Sequence, residues 1–112
     1  MELTTTDIGN DITKISLAGR LDIDGALKID GPFMDMVKAK KFVAVDLSAV
    51  SFLASLGMRT LVSGAMASWA NSGKLVLLKP QENVEKVLRA AAIDTIIPIV
   101  RDMSEAERVF GL

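Results

Sequence analysis

Residues 42–78 read FVAVDLSAVSFLASLGMRTLVSGAMASWANSGKLVLL, and they contain two apolar runs separated by one helix-length segment. The first run is Phe42-Val43-Ala44-Val45-Asp46-Leu47 and the second is Leu75-Val76-Leu77-Leu78. Each is short, rich in branched residues and bounded by Lys, Ser or Gly, as suits a strand covered on both faces. Between them, Met58, Leu61, Val62, Ala65 and Trp69 recur at helical spacing over Ser55 to Ser72, while Arg59, Ser63 and Ser68 fall off that stripe. Gly73 offers a left-handed stop. Two such strands with a helix between them make the chain read as α/β.

Upstream, Glu2 to Ile8 and Ile12 to Leu17 flank Gly9-Asn10-Asp11, the composition of an opening hairpin. Gly19-Arg20-Leu21-Asp22 leads out of the second strand. Ala26, Ile29, Phe33 and Val37 then share one helical face, interrupted by Gly31-Pro32. Proline suits the first turn of a helix, so a turn is expected before it and the main helix from about Pro32. Downstream come a helix over Glu82 to Ala92, a short strand over Ile96 to Val100 and a last helix over Ser104 to Val109. Pro98 cannot donate a ladder hydrogen bond, which puts that strand at a sheet edge. The expected architecture is an α/β single domain over residues 1–112, ordered ββ-α-β-α-β-α-β-α, with four to five strands and about four helices.

Composition narrows the function. Half of the 112 residues are hydrophobic, enough to bury a core. Thirteen basic and fourteen acidic residues leave a net charge of -1 with only four Phe, one Trp and no Tyr, so no basic, aromatic-interleaved nucleic-acid surface is expected. Cys and His are absent, which removes thiolate and imidazole metal ligands, thiol nucleophiles and the commonest general base. No apolar run is long enough to insert in a membrane, so a cytoplasmic location is expected. The remaining Asp, Glu, Lys, Ser and Thr show no mechanism-like spacing. The reading is a binding protein rather than an enzyme, with no cofactor.

Some residues invite a closer look on local grounds. Ser55 opens the best helix, where its hydroxyl could accept a hydrogen bond from an orphan amide, an interaction of ~1 kcal/mol. Gly57 in the first turn suits either close packing on a strand or access by a partner. Asp22 and Asp24 read as turn formers or caps. Leu53 and Leu56 flank Ser55 in a segment expected to be exposed, forming an apolar rim around a polar centre. Met58, Leu61, Val62 and Trp69 read as core.

The segment Val45 to Arg59 also resembles the signature of the STAS family, the domains of anti-sigma factor antagonists and sulphate transporter tails. In that family a strand carrying Asp-Leu leads through a short loop to a helix that opens Asp-Ser-Ser/Thr-Gly; here the strand has Asp46-Leu47 and the helix opens Ala54-Ser55-Leu56-Gly57. Gly19-Arg20-Leu21-Asp22 resembles the family's Gly-Glu-Leu-Asp turn. Lys79-Pro80-Gln81, Val84, Val87-Leu88 and Ile93-Asp94 resemble its proline-started third helix and exit. The resemblance implies a mixed β-sheet packed with helices and a non-enzymatic role in which Ser55 is phosphorylated by a partner that is both serine kinase and anti-sigma factor. ATP would belong to that partner, and a metal-dependent serine phosphatase would reset the state. Asp22, Leu53, Ala54, Leu56, Gly57 and Arg59 are the implied partner contacts. Ala54 stands where Asp is usual and Leu56 where a small hydroxyl residue is usual. An alternative within the same fold is therefore a subunit of a larger assembly, such as a sensory complex or a lipid-transport system, in which Ser55 is never modified.

Overall fold

The computed structural model describes residues 1–112. β1 (Glu2–Gly9) and β2 (Ile12–Leu21) form an antiparallel hairpin. Its two turn residues, Asn10 and Asp11, have φ of 55° and 64°, the left-handed pair that a tight hairpin needs. Just before them the register shifts between Asp7 and Gly9, and the Asp7 carboxylate accepts the Gly9 amide at 2.9 Å. After the hairpin come α1 (Ile23–Ala39), β3 (Phe42–Leu53), α2 (Ser55–Ala70), β4 (Lys74–Leu78), α3 (Glu82–Ala90), a 3₁₀ turn (Ile93–Thr95), β5 (Ile99–Val100) and α4 (Met103–Phe110). The five strands lie in chain order, with β2 to β5 parallel.

The pleat sorts the strand residues into two cores. Ile15, Leu17, Val43, Val45, Leu75 and Leu77 face α1, α2 and α3 in a cluster of 20 buried residues. Ile12, Phe42, Ala44, Val76 and Leu78 face the other way and are covered by α4, where Phe42 and Phe110 stack at 4.9 Å. The element order and the mixed sheet match the sequence reading, and β5 with the preceding Pro98 does lie at an edge.

Some boundaries differ. α1 starts at Ile23 rather than near Pro32, and Pro32 sits inside it. Asp22 caps the helix, Ala26 and Ile29 are already buried, and Lys28, whose carbonyl Pro32 cannot bond, lies on the exposed side with it. The interrupted ladder therefore faces water. β3 runs on to Leu53. Along its last half the buried residues are Leu47, Val50 and Leu53, spaced by three because the β2–β3 register shifts twice.

In α2 the buried face consists of Gly57, Thr60, Leu61, Gly64, Ala65 and Ser68, and Trp69 is 47% exposed. Gly64 is required where α1 packs closest: a methyl group there would meet the Phe33 ring at 2.5 Å. Leu61 is core as expected, Met58 and Val62 are partly buried against it, and Trp69 is not core.

Candidate functional site

The C-terminal ends of β2 and β3 lie side by side, with Leu21 paired to Leu53. α1 and α2 start from these ends, and the Ala54 amide donates to the Leu21 carbonyl at 3.0 Å. Every sequence-derived candidate sits at or near this junction, but with unequal access to solvent.

Ser55 is exposed and is the first helical residue of α2, not its cap. The cap is Ala54, whose side chain makes no capping bond. The Ser55 hydroxyl has no hydrogen-bond partner within the chain. The first amide of α2 to find a helical acceptor is Met58, which donates to Ala54 at 3.0 Å. The amides of Ser55, Leu56 and Gly57 therefore add a positive field at the end of the helix that carries the free hydroxyl.

Leu53 is only 5% exposed and belongs to the main core, and Gly57 is also buried. Leu53 contradicts the expected exposed segment because it continues the core-facing row of β3. At Gly57 the close-packing reading holds: a methyl group there would meet the Leu21 carbonyl at 2.6 Å and its Cγ at 2.7 Å. Neither residue offers contact surface. Ala54 and Leu56 are half-buried, and Arg59 is exposed with no carboxylate at ion-pair distance.

Asp22 is committed to the fold. It accepts the Gly25 amide at 2.8 Å and lies 3.5 Å from the Arg20 guanidinium. The Gly25 hydrogen bond and then Arg20 hold its carboxyl below the usual carboxylate range. Arg20 in turn lies 4.3 Å from the centre of the Phe52 ring. The cap reading of Asp22 thus holds, and Asp24 is an exposed residue of the same first turn.

Two residues of this surface were missed in the sequence. Ile23 is 61% exposed and Leu27 is 68% exposed. Ile23 shares a hollow with Ala54, Ser55, Leu56 and Arg59. Leu27 lines an adjoining groove of about 350 Å³ between α1 and α2, with Leu56 and Arg59 on its other wall. The available signal was their i, i+4 spacing away from the Ala26–Ile29–Phe33–Val37 stripe. The result is one nucleophile-bearing side chain, one unpaired guanidinium and an apolar border formed by two helices. No group of three or more metal-ligating side chains is present, and no helix is long and apolar enough to cross a membrane.

The sequence model of the STAS domain family matches residues 4–106. Among solved structures, that of the Thermotoga maritima protein TM1081 superposes with a TM-score of 0.86 at 23% identity, over 98% of this chain and 95% of that one. The anti-sigma factor antagonist SpoIIAA in its unphosphorylated form gives a TM-score of 0.79 at 18% identity, over 99% and 98% of the two chains. A Ser-to-Glu variant of RsbS from Moorella thermoacetica gives 0.77 at 13% identity over the full length of both. At these identities the structural likeness shows the fold.

Proposed function

We propose that this chain, which belongs to the STAS domain family, is a protein-binding regulatory module of the anti-sigma factor antagonist type, switched by phosphorylation of Ser55. The observation that carries the reading is the Ser55 hydroxyl: exposed, without an internal hydrogen bond, and set beside apolar surface from Ile23 and Leu56. Structural neighbours include SpoIIAA in both a phosphorylated and an unphosphorylated form. The unmodified surface binds a partner that is both serine kinase and anti-sigma factor. ATP belongs to that partner, which makes the cytoplasm the compartment of action, and a serine phosphatase restores the free hydroxyl.

A phosphate on Ser55 would meet the unpaired amides of α2, with the Arg59 guanidinium one turn away. The modification should therefore leave the domain folded and act on the partner. A partner carboxylate within about 6 Å would be repelled by roughly 1 to 5 kcal/mol, depending on the local dielectric. That range weakens binding by about ten-fold to several thousand-fold.

The test is recovery of the chain from its own cells, phosphosite mapping by mass spectrometry, and comparison of partner binding by wild type, Ser55→Ala and Ser55→Asp. Retention by wild type and Ser55→Ala with loss for Ser55→Asp supports the switch. Equal binding by all three, with Ser55 unmodified under growth and stress, sinks it. One observation favours a second reading: Ala54 provides no carboxylate at the cap position. A STAS subunit of a sensory complex or lipid-transport system, never phosphorylated, would co-purify with fixed stoichiometry in every condition.

A further inference from the structure

β3 outruns its neighbour. β4 stops at Leu78, opposite Asp46, whereas β3 continues to Leu53, so residues 47–53 have β2 on one side and no strand on the other. The same stretch carries both irregularities of the β2–β3 ladder. Asp46 and Ala49 of β3 pair with Ser16 and Ala18 of β2, and Val50 and Phe52 pair with Gly19 and Arg20, so β3 carries one extra residue at each place. Bulges of this kind leave backbone groups outside the ladder, and those groups need other partners.

Two side-chain amides at the start of α3 supply them. Gln81 donates from Nε2 to the Ser48 carbonyl at 2.9 Å, and Asn83 donates from Nδ2 to the Ser51 carbonyl at 2.9 Å. Ser48 lies inside the first irregularity and Ser51 inside the second. A carbonyl can be met only by the NH₂ end of an amide, which fixes how both side chains are turned. Gln81 stands at the cap of α3 yet makes no capping bond there, so its polar group serves β3 rather than its own helix. α3 gives the two amides a firm base, because Val84 and Leu88 belong to the main core.

We propose that Gln81 and Asn83 are positioning residues for Ser55: by holding the two bulges of β3 they fix the strand end from which Ser55 is presented. The spacing that puts Leu47, Val50 and Leu53 into the core depends on both bulges. A one-residue slip at either would turn Leu53 outward and re-aim Ala54 and Ser55. On the opposite side of the strand the Ala54 amide donates to the Leu21 carbonyl at 3.0 Å, so β2 and α3 grip this exit together. The value of that grip to a partner rests on the switch proposed for Ser55, whereas the grip itself does not.

Asn83→Asp separates positioning from stability. A carboxylate has no proton to donate, so the bond to Ser51 is lost, while an acid in the first turn of α3 suits the helix dipole. Both amide side chains are at the surface, so neither substitution opens the core. In native-state amide hydrogen exchange, residues 48–57 should exchange about five-fold faster in Asn83→Asp and in Gln81→Ala, with β1 and α4 unchanged. The urea midpoint of Asn83→Asp should be no lower than that of the wild type. Unchanged exchange over residues 48–57 would overturn the proposal, and so would a uniform rise along the whole chain, which marks a loss of global stability alone. In an extract of its own cells supplied with ATP, Asn83→Asp should take up phosphate at Ser55 several-fold more slowly than the wild type, and equal rates would end the positioning role. A wild type that takes up none removes the switch, and the exchange contrast still decides the positioning.

Discussion

α1 and α2 leave the ends of two neighbouring parallel strands, and their first turns share one packing device but differ in capping. Each has a glycine at its third helical position, Gly25 and Gly57. Each glycine is pressed against the end of β2, Gly25 on the Arg20 carbonyl and Gly57 on the Leu21 carbonyl. At α1 one orphan amide, that of Gly25, is answered by Asp22, itself paired with Arg20. At α2 the cap is Ala54, which answers nothing, and the hydroxyl one residue later is free. Packing is thus conserved between the two junctions while polar chemistry is not. The closed junction serves the fold, and the open one leaves a serine and three amides without a partner in the chain.

The largest effect should come from the shared device. Gly57→Ala places a methyl group 2.6 Å from the Leu21 carbonyl. Overpacking of this kind, less the helix-propensity gain of alanine, should cost about 2 kcal/mol in urea unfolding, and Gly25→Ala should behave alike. Tolerance at one glycine but not the other would show that the junctions are not equivalent.

Next comes the difference between the caps. Ala54→Asp should stabilise the domain by about 1 kcal/mol, raising the thermal midpoint by roughly 4 °C, because it supplies the missing acceptor. Asp22→Ala should move the midpoint downwards. If Ala54→Asp leaves the midpoint unchanged, the α2 amides already have an answer and the contrast fails.

The third junction, β4 to α3, sharpens the comparison further. Gln81 makes no capping bond and instead donates to the Ser48 carbonyl at 2.9 Å. α3 is braced one turn later by Glu85, whose carboxylate takes Arg101 in a bidentate pair at 2.6 Å and Arg89 at 2.8 Å. Arg101 and then Arg89 pull the Glu85 pKa from 4.5 down to about 2. A depressed carboxylate stabilises the fold above its unfolded pKa and loses that contribution as acid protonates it. A modest part of the stability should therefore disappear between about pH 4.5 and pH 2, and Glu85→Gln should flatten that limb of the pH titration. An unchanged acid limb would mean that the ion pairs add nothing.

The smallest effect expected is that of Ser55→Ala on stability, within about 0.5 kcal/mol by chemical denaturation, since the hydroxyl bonds to nothing. A loss near 1 kcal/mol would return Ser55 to the role of a helix cap.

Much of the fold could be read locally. Asn10-Asp11 supports the left-handed turn, the two apolar runs are strands, and Pro98 marks the edge. Reading failed where neighbours decide. The start of α1 was hidden by Pro32, although Asp22 three residues before Gly25 was a usable start signal. Trp69 sits on a helical stripe by spacing, but the buried face of α2 runs through Gly57, Thr60, Leu61, Gly64, Ala65 and Ser68, and Phe33 packs on Gly64.

By itself, the sequence determined the order of the elements, the hairpin and the place of Ser55 at the entrance to α2. These depend on residue type and spacing along one segment, which the chain carries wherever it folds. Tertiary structure alone decided which residues at that entrance meet solvent. Leu53 and Gly57 were turned inward by register shifts and by the backbone of β2, while Ile23 and Leu27 lie outside the stripe by which α1 packs. Burial belongs to what lies across from a residue, and no single segment contains its own opposite face.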